Sequence, residues 1–113
     1  MSLYEMTQPD DVPLDCMVEV IDAFVAHKAC LADMVGQLSF LRAQVSAAPS
    51  KWQMVFLNLW TSIEIVHTEA RIHQRDLTEM ELRFVLSLSL ELKDTIVAVR
   101  GAIAEPLADP VIQ

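Results

Sequence analysis

Between residues 50 and 100 the chain has neither proline nor glycine, and apolar residues recur there at three- and four-residue intervals. Nothing in such a stretch interrupts a helix, because proline and glycine are the residues that break one. The five prolines stand at 9, 13, 49, 106 and 110, so they divide the chain into long uninterrupted segments. The pattern predicts an all-α fold.

Three helices are expected. Helix A runs from Leu14 to Ala47, with Cys16, Val20, Phe24, His27, Leu31, Met34, Leu38, Leu41 and Val45 on one stripe at helical pitch. Gly36 lies inside it and marks a kink or a split. Helix B runs from Lys51 to Gln74, with Ser50 as its N-cap. Helix C has the sharpest start: Thr78 and Glu81 form a T-x-x-E capping box, and Leu77 and Leu82 hold the hydrophobic-staple positions. It is expected to reach Ala104. The run Leu86-Ser87-Leu88-Ser89-Leu90-Glu91-Leu92 alternates as a strand would. An isolated strand has no partner, and Leu and Glu are good helix formers, so it is read as helix. Short connections make neighbouring helices antiparallel. The expected architecture is an up-down-up three-helix antiparallel bundle, with four helices if helix A breaks at Gly36. Residues 14–104 are expected to form a single helical domain, flanked by a mobile acidic segment, 1–13, and a mobile tail, 105–113.

The apolar content exceeds what such a bundle needs. Hydrophobic residues make up 53% of the 113 and mean hydropathy is +0.35. Helix B has two apolar faces: Trp52, Phe56, Leu59, Ile63, Val66 and Ala70 on one side, Met54, Leu57, Ile65 and Ile72 on the other. Helix A carries a second row, Val18, Ile21, Val25 and Ala29, and helix C a second row of Leu86, Leu90 and Val97. Monomers rarely leave patches of that size in water. A two-fold homodimer would cover them, with Met54, Leu57, Ile65, Ile72, Val18, Ile21 and Val25 as its contact residues.

Charge excludes other classes. The formal net charge is −8, which disfavours nucleic acid as a partner, since phosphate contacts need clustered Lys and Arg. Six acids, Glu5, Asp10, Asp11, Asp15, Glu19 and Asp22, precede the first basic residue, Lys28, and are expected to form a solvated end. A basic n-region for a secretory leader is therefore not seen, and no uncharged apolar run reaches the roughly 18–20 residues of a membrane span. Trp52 and Trp60 are read as core or interface aromatics and not as a membrane anchor. A cytoplasmic protein with reduced thiols is expected, Cys16 and Cys30 lying too far apart on one helix to pair.

Reactive chemistry finds few footholds. With Gly36 and Gly101 the only glycines, neither the Walker nor the dinucleotide-binding pattern can occur, and no cofactor is expected. Glu64-x-x-His67 has the spacing of one half of a di-iron motif, but its companion carboxylates are missing. If helices A and B turn near residue 48, partners sum to about 97, and Cys30 faces His67. His27, Cys30, Glu64 and His67 then form a possible zinc- or copper-type cluster. Its competitor is a core histidine with a small buried thiol. The favoured expectation is a non-enzymatic interaction protein, working as a homodimer and accepting a partner's amphipathic helix in an apolar groove. A metal- or small-ligand-binding bundle is the alternative.

Overall fold

The first helix ends where no glycine or proline stands. The computed structural model, which describes residues 10–104 and their side chains as far as residue 100, has four helices: α1 (Asp11–Val25), α2 (Leu31–Arg42), α3 (Ser50–Ile72) and α4 (Glu79–Ala104). Among the described residues there is no strand. The all-α expectation holds, and the number of helices is four.

The break between α1 and α2 falls at 26–30 and not at Gly36, which sits inside α2. Its cause is a Schellman ending. The Lys28 N–H donates to the Ala23 carbonyl at 2.7 Å and the His27 N–H to that of Phe24 at 3.0 Å, while His27 takes a left-handed φ of 64°. This is the usual stop for a helix, with histidine in the place glycine ordinarily fills. The end of α3 repeats it. Arg75 N–H donates to the Ala70 carbonyl and Gln74 N–H to that of Arg71, with Gln74 at φ 51°.

Two further boundaries differ from expectation. Residues 10–13 belong to the domain: α1 begins at Asp11, and Pro13 is buried. Ser50 is the first residue of α3 and not its cap; Pro49 takes the N-cap position with no side-chain hydrogen bond. The remainder of the expected mobile ends, 1–9 and 105–113, lies outside the described residues.

Each helix packs on its chain neighbours, and α1 closes the ring on α4. The pairings are antiparallel. Trp60 Nε1–H donates to the Val35 carbonyl at 3.0 Å and Arg42 Nη1 to Gln53 at 3.2 Å, which sets the α2–α3 register. Trp52 Nε1–H reaches the Thr95 carbonyl of α4 at 3.2 Å. Both indoles thus satisfy their polar edge while packing inward. The result is an up-down-up-down four-helix bundle made of a short hairpin, α1–α2, and a long one, α3–α4.

The core is Leu14, Met17, Ile21 and Phe24 from α1, Met34, Val35 and Leu38 from α2, Trp52, Phe56 and Ile63 from α3, and Val85, Leu92, Ile96 and Val99 from α4, with Val45 from the α2–α3 connection. Each such side chain contributes on the order of 1.5–3 kcal/mol on burial. The Leu86–Leu92 run is helical. Ser89 is fully buried there, and its hydroxyl donates to the Val85 carbonyl at 2.7 Å, so its polar group is satisfied.

Candidate functional site

Facing away from the core, α3 carries Met54, Leu57, Ile65 and Ile72, which are 66%, 38%, 60% and 65% exposed. The buried side of the same helix is Trp52, Phe56, Ile63 and Ala70. The two sets are opposed because 100° per residue places 54, 65 and 72 about half a turn, and 57 about a third of a turn, from 52, 56, 63 and 70. From Met54 to Ile72 the stripe runs about 27 Å at 1.5 Å per residue. Val55 on α3 and Met80 and Phe84 on α4 are also exposed. The second row of α4 is open in part: Leu90 is 48% and Val97 52% exposed, whereas Leu86 is half-buried against the core.

The second row expected on α1 is not available. Ile21 is fully buried, and Val18 and Val25 are half-buried against the core. The sequence stripe was set by a helix continuous to residue 47, and the break at 26–30 resets its phase. The core side of α1 is therefore Leu14, Met17, Ile21 and Phe24, whereas Cys16 and Val20 are half-buried at its edge, Val20 still touching the core. Together with Glu19, Gln37, Phe40 and Leu41 they line an open groove of about 580 Å³ between α1 and α2. Phe40, 70% exposed, had no place in the expected stripe. Its offset from Met34 and Leu38 on α2 was the available signal.

The four candidate metal ligands do not converge. Cys30 and His67 line one shallow cavity of about 260 Å³, with Arg71, Arg75 and Asp76, and this agrees with the expected α2–α3 register. His27 and Glu64 are not on its wall. The His27-x-x-Cys30 arrangement required an unbroken helix, and His27 instead forms the exposed end of α1. Glu64 accepts a hydrogen bond from the Thr68 hydroxyl at 2.8 Å. Among the described residues no three His, Cys, Asp or Glu side chains are grouped so as to hold a metal ion. Both cysteines are free thiols, Cys16 half-buried and Cys30 exposed.

Of the six N-terminal acids, Asp15, Glu19 and Asp22 are exposed to solvent as expected, Asp10 and Asp11 are drawn into the fold, and Glu5 lies outside the described residues. Asp10 is buried, and its carboxylate accepts from the Ala47 N–H at 2.7 Å, the Ser46 N–H at 3.0 Å and the Ser46 hydroxyl at 3.3 Å. Asp15 and Asp11 pair with Arg100 of α4 at 2.8 and 3.3 Å, and Asp22 pairs with Lys93 at 2.7 Å. The hydrogen bond to Asp15 raises the Arg100 pKa above its ordinary value.

The expected capping box is present. Glu81 N–H donates to the Thr78 hydroxyl at 3.1 Å, and Thr78 N–H donates to Glu81 Oε1 at 2.9 Å. Arg75 closes on the same carboxylate through two bonds of 2.8 and 3.0 Å. Arg75 first, and the Thr78 N–H second, hold the Glu81 carboxyl down at about 2. The staple residues Leu77 and Leu82 are half-buried against the core.

No helix among the described residues is long and apolar enough to cross a membrane. Comparison with protein-family models, with curated proteins and with solved structures finds no match for this chain.

Proposed function

We propose that the chain is a non-enzymatic interaction protein of the cytoplasm, an adaptor, regulatory subunit or small chaperone, that works as a homodimer through the outer face of α3. The observation that supports this reading is the stripe Met54, Leu57, Ile65 and Ile72, exposed along one helix and opposite its buried side. Exposed apolar area of that continuity on a folded domain marks an interaction surface. A two-fold axis pairs the same patch with itself, so one stripe serves both subunits. Val55, Met80 and Phe84 widen it toward α4, in the direction of the roughly 800 Å² per partner of a standard interface.

Sedimentation equilibrium of the wild-type chain and of a Met54→Glu/Ile65→Glu double variant tests this. The wild type is expected to be a dimer at micromolar concentration. The variant is expected to be a monomer with unchanged helical circular dichroism, because both side chains already stand in solvent. A wild type that remains monomeric throughout, or a variant that dimerises as strongly, overturns the assignment.

A further inference from the structure

The ring order of the helices places the α1–α2 groove on the side of the bundle opposite the α3–α4 layer, so a self-associated α3 leaves that groove open. Its walls are Cys16, Val20 and Ala23 from α1 and Phe40 and Leu41 from α2, an apolar trough between two antiparallel helices. Among the described residues, Glu19 is the one charged residue on its wall, and Lys28 stands exposed beside Ala29 at the end nearest the α1–α2 connection. On α1, Asp11, Asp15 and Asp22 all pair with cations of α4. Glu19, on the groove wall, has no ion-pair partner among the described residues, and neither does Asp33, one turn before Gln37 on the opposite wall. With Asp10 beside Ser46 setting the register, Glu19 stands level with Gln37 and Asp33 level with Ala23. Two uncompensated carboxylates therefore flank the trough at neighbouring levels, one on each side.

We infer that this groove is a second docking site, distinct from the self-association face, and that its occupant is an amphipathic helix of a protein partner with Lys or Arg flanking its apolar stripe. The inference rests on the reading of the chain as an interaction protein. Helix-in-groove recognition sets apolar anchors at i, i+3, i+4 and i+7 into such a trough. Phe40 on the lip supplies an aromatic contact of the kind that dominates interfaces. Cations beside the anchors meet Glu19 and Asp33, and the opposite charge would be turned away, which gives the site its selectivity.

The probe is a Leu/Lys amphipathic peptide of about 14 residues, four helical turns, with a Leu/Glu peptide of the same pattern as its counterpart, titrated by fluorescence anisotropy. The Leu/Lys peptide is expected to bind and the Leu/Glu peptide to fail. Glu19→Lys and Phe40→Ala, both at exposed positions, are each expected to weaken binding about tenfold, or 1.4 kcal/mol. Glu91→Lys, the same charge change on exposed α4 surface, is expected to leave it unaltered. Equal loss in Glu19→Lys and Glu91→Lys means attraction to net charge alone and overturns the site. Binding lost in Ile65→Glu but kept in Glu19→Lys moves the surface to α3 and also overturns it. Absence of binding by both peptides does the same. The dimer measurement is independent of all these outcomes, so failure of the groove and failure of the self-association face are told apart.

Discussion

The long hairpin α3–α4 carries nine of the eleven large apolar side chains that stand exposed among the described residues, and the short hairpin α1–α2 carries two, Val12 and Phe40. The hairpins are also fastened differently. The long one is closed on itself by the Trp52 indole N–H, which reaches α4, and joined to α2 by that of Trp60. The short one is tied down by charge: Asp10 to the α2–α3 connection, and Asp11, Asp15 and Asp22 to α4. Helices with a single apolar face need only the core and a polar fastening. A helix with two apolar faces sets one against the core and leaves the other in solvent, which is why a partner is proposed for it. On this contrast the proposed self-association face lies on the long hairpin, and the short hairpin completes the core and presents a groove.

The sharpest way to break the contrast lies within α3. Phe56→Ala, at a fully buried position, is expected to lower unfolding free energy by about 3–5 kcal/mol. Ile65→Ala, on the outer face, is expected to change a monomer's stability by no more than about 0.5 kcal/mol. In a dimer its cost appears only as a lost dependence of the urea midpoint on protein concentration. Equal losses at both positions, independent of concentration, would mean that the outer stripe is packed within the chain.

Next in size is the fastening of the short hairpin. Asp10→Ala leaves the Ser46 and Ala47 N–H groups without their acceptor and is expected to cost about 1–3 kcal/mol. Amide exchange at Ser46 and Ala47 should accelerate along with it. A variant as stable as the wild type would reduce Asp10 to a bystander and leave α1 held by packing alone.

The start of α4 gives a smaller effect with a pH signature. Thr78→Ala removes the cap and is expected to cost about 1 kcal/mol. Glu81 has its folded pKa depressed to about 2 from an ordinary 4.5. Its contribution is therefore complete above the unfolded value and is lost as pH falls through the folded one. Stability should decline between these limits as the unfolded chain takes up the proton first. Glu81→Gln should flatten that part of the profile, read from urea midpoints across the acid range. An unchanged slope would mean that other carboxylates carry it.

The long hairpin was also the more legible half. Its helices were expected at 51–74 and 78–104 and are found at 50–72 and 79–104, because T-x-x-E writes a start in side-chain chemistry and the absence of proline and glycine leaves the interior unbroken. Met54, Leu57, Ile65 and Ile72 were readable as an outer face because α3 is continuous and its phase never resets. The short hairpin was expected as one helix. A Schellman stop is a backbone event, and with His27 in place of glycine it leaves no composition signal. Everything downstream of that error followed from helical phase: Ile21 was placed outside, Leu14 and Met17 were left out of the core stripe, and His27 was set beside Cys30. Asp10 was beyond reach for another reason, since its partners lie 36 and 37 residues ahead.

The smallest prediction bears on where the chain turns. Gly36 was the expected hinge, but it lies within α2 with an ordinary φ, and a β-carbon added there meets nothing within 4 Å. Gly36→Ala is therefore expected to stabilise the protein by about 0.4–1 kcal/mol, by restricting the unfolded chain and favouring helix. His27→Gly is expected to stabilise too, for a different reason: it removes the steric strain of a β-carbon in the left-handed region, of roughly 1–2 kcal/mol, against the entropy that glycine adds to the unfolded state. Thermal melts of the two variants separate the alternatives. If Gly36 were the hinge, alanine there would straighten it and lower the melting temperature, and glycine at His27 would place a breaker inside a helix and lower it as well. Both changes raising it locates the turn at His27, and with it the phase that puts Cys16 and Val20 in the groove and Ile21 in the core.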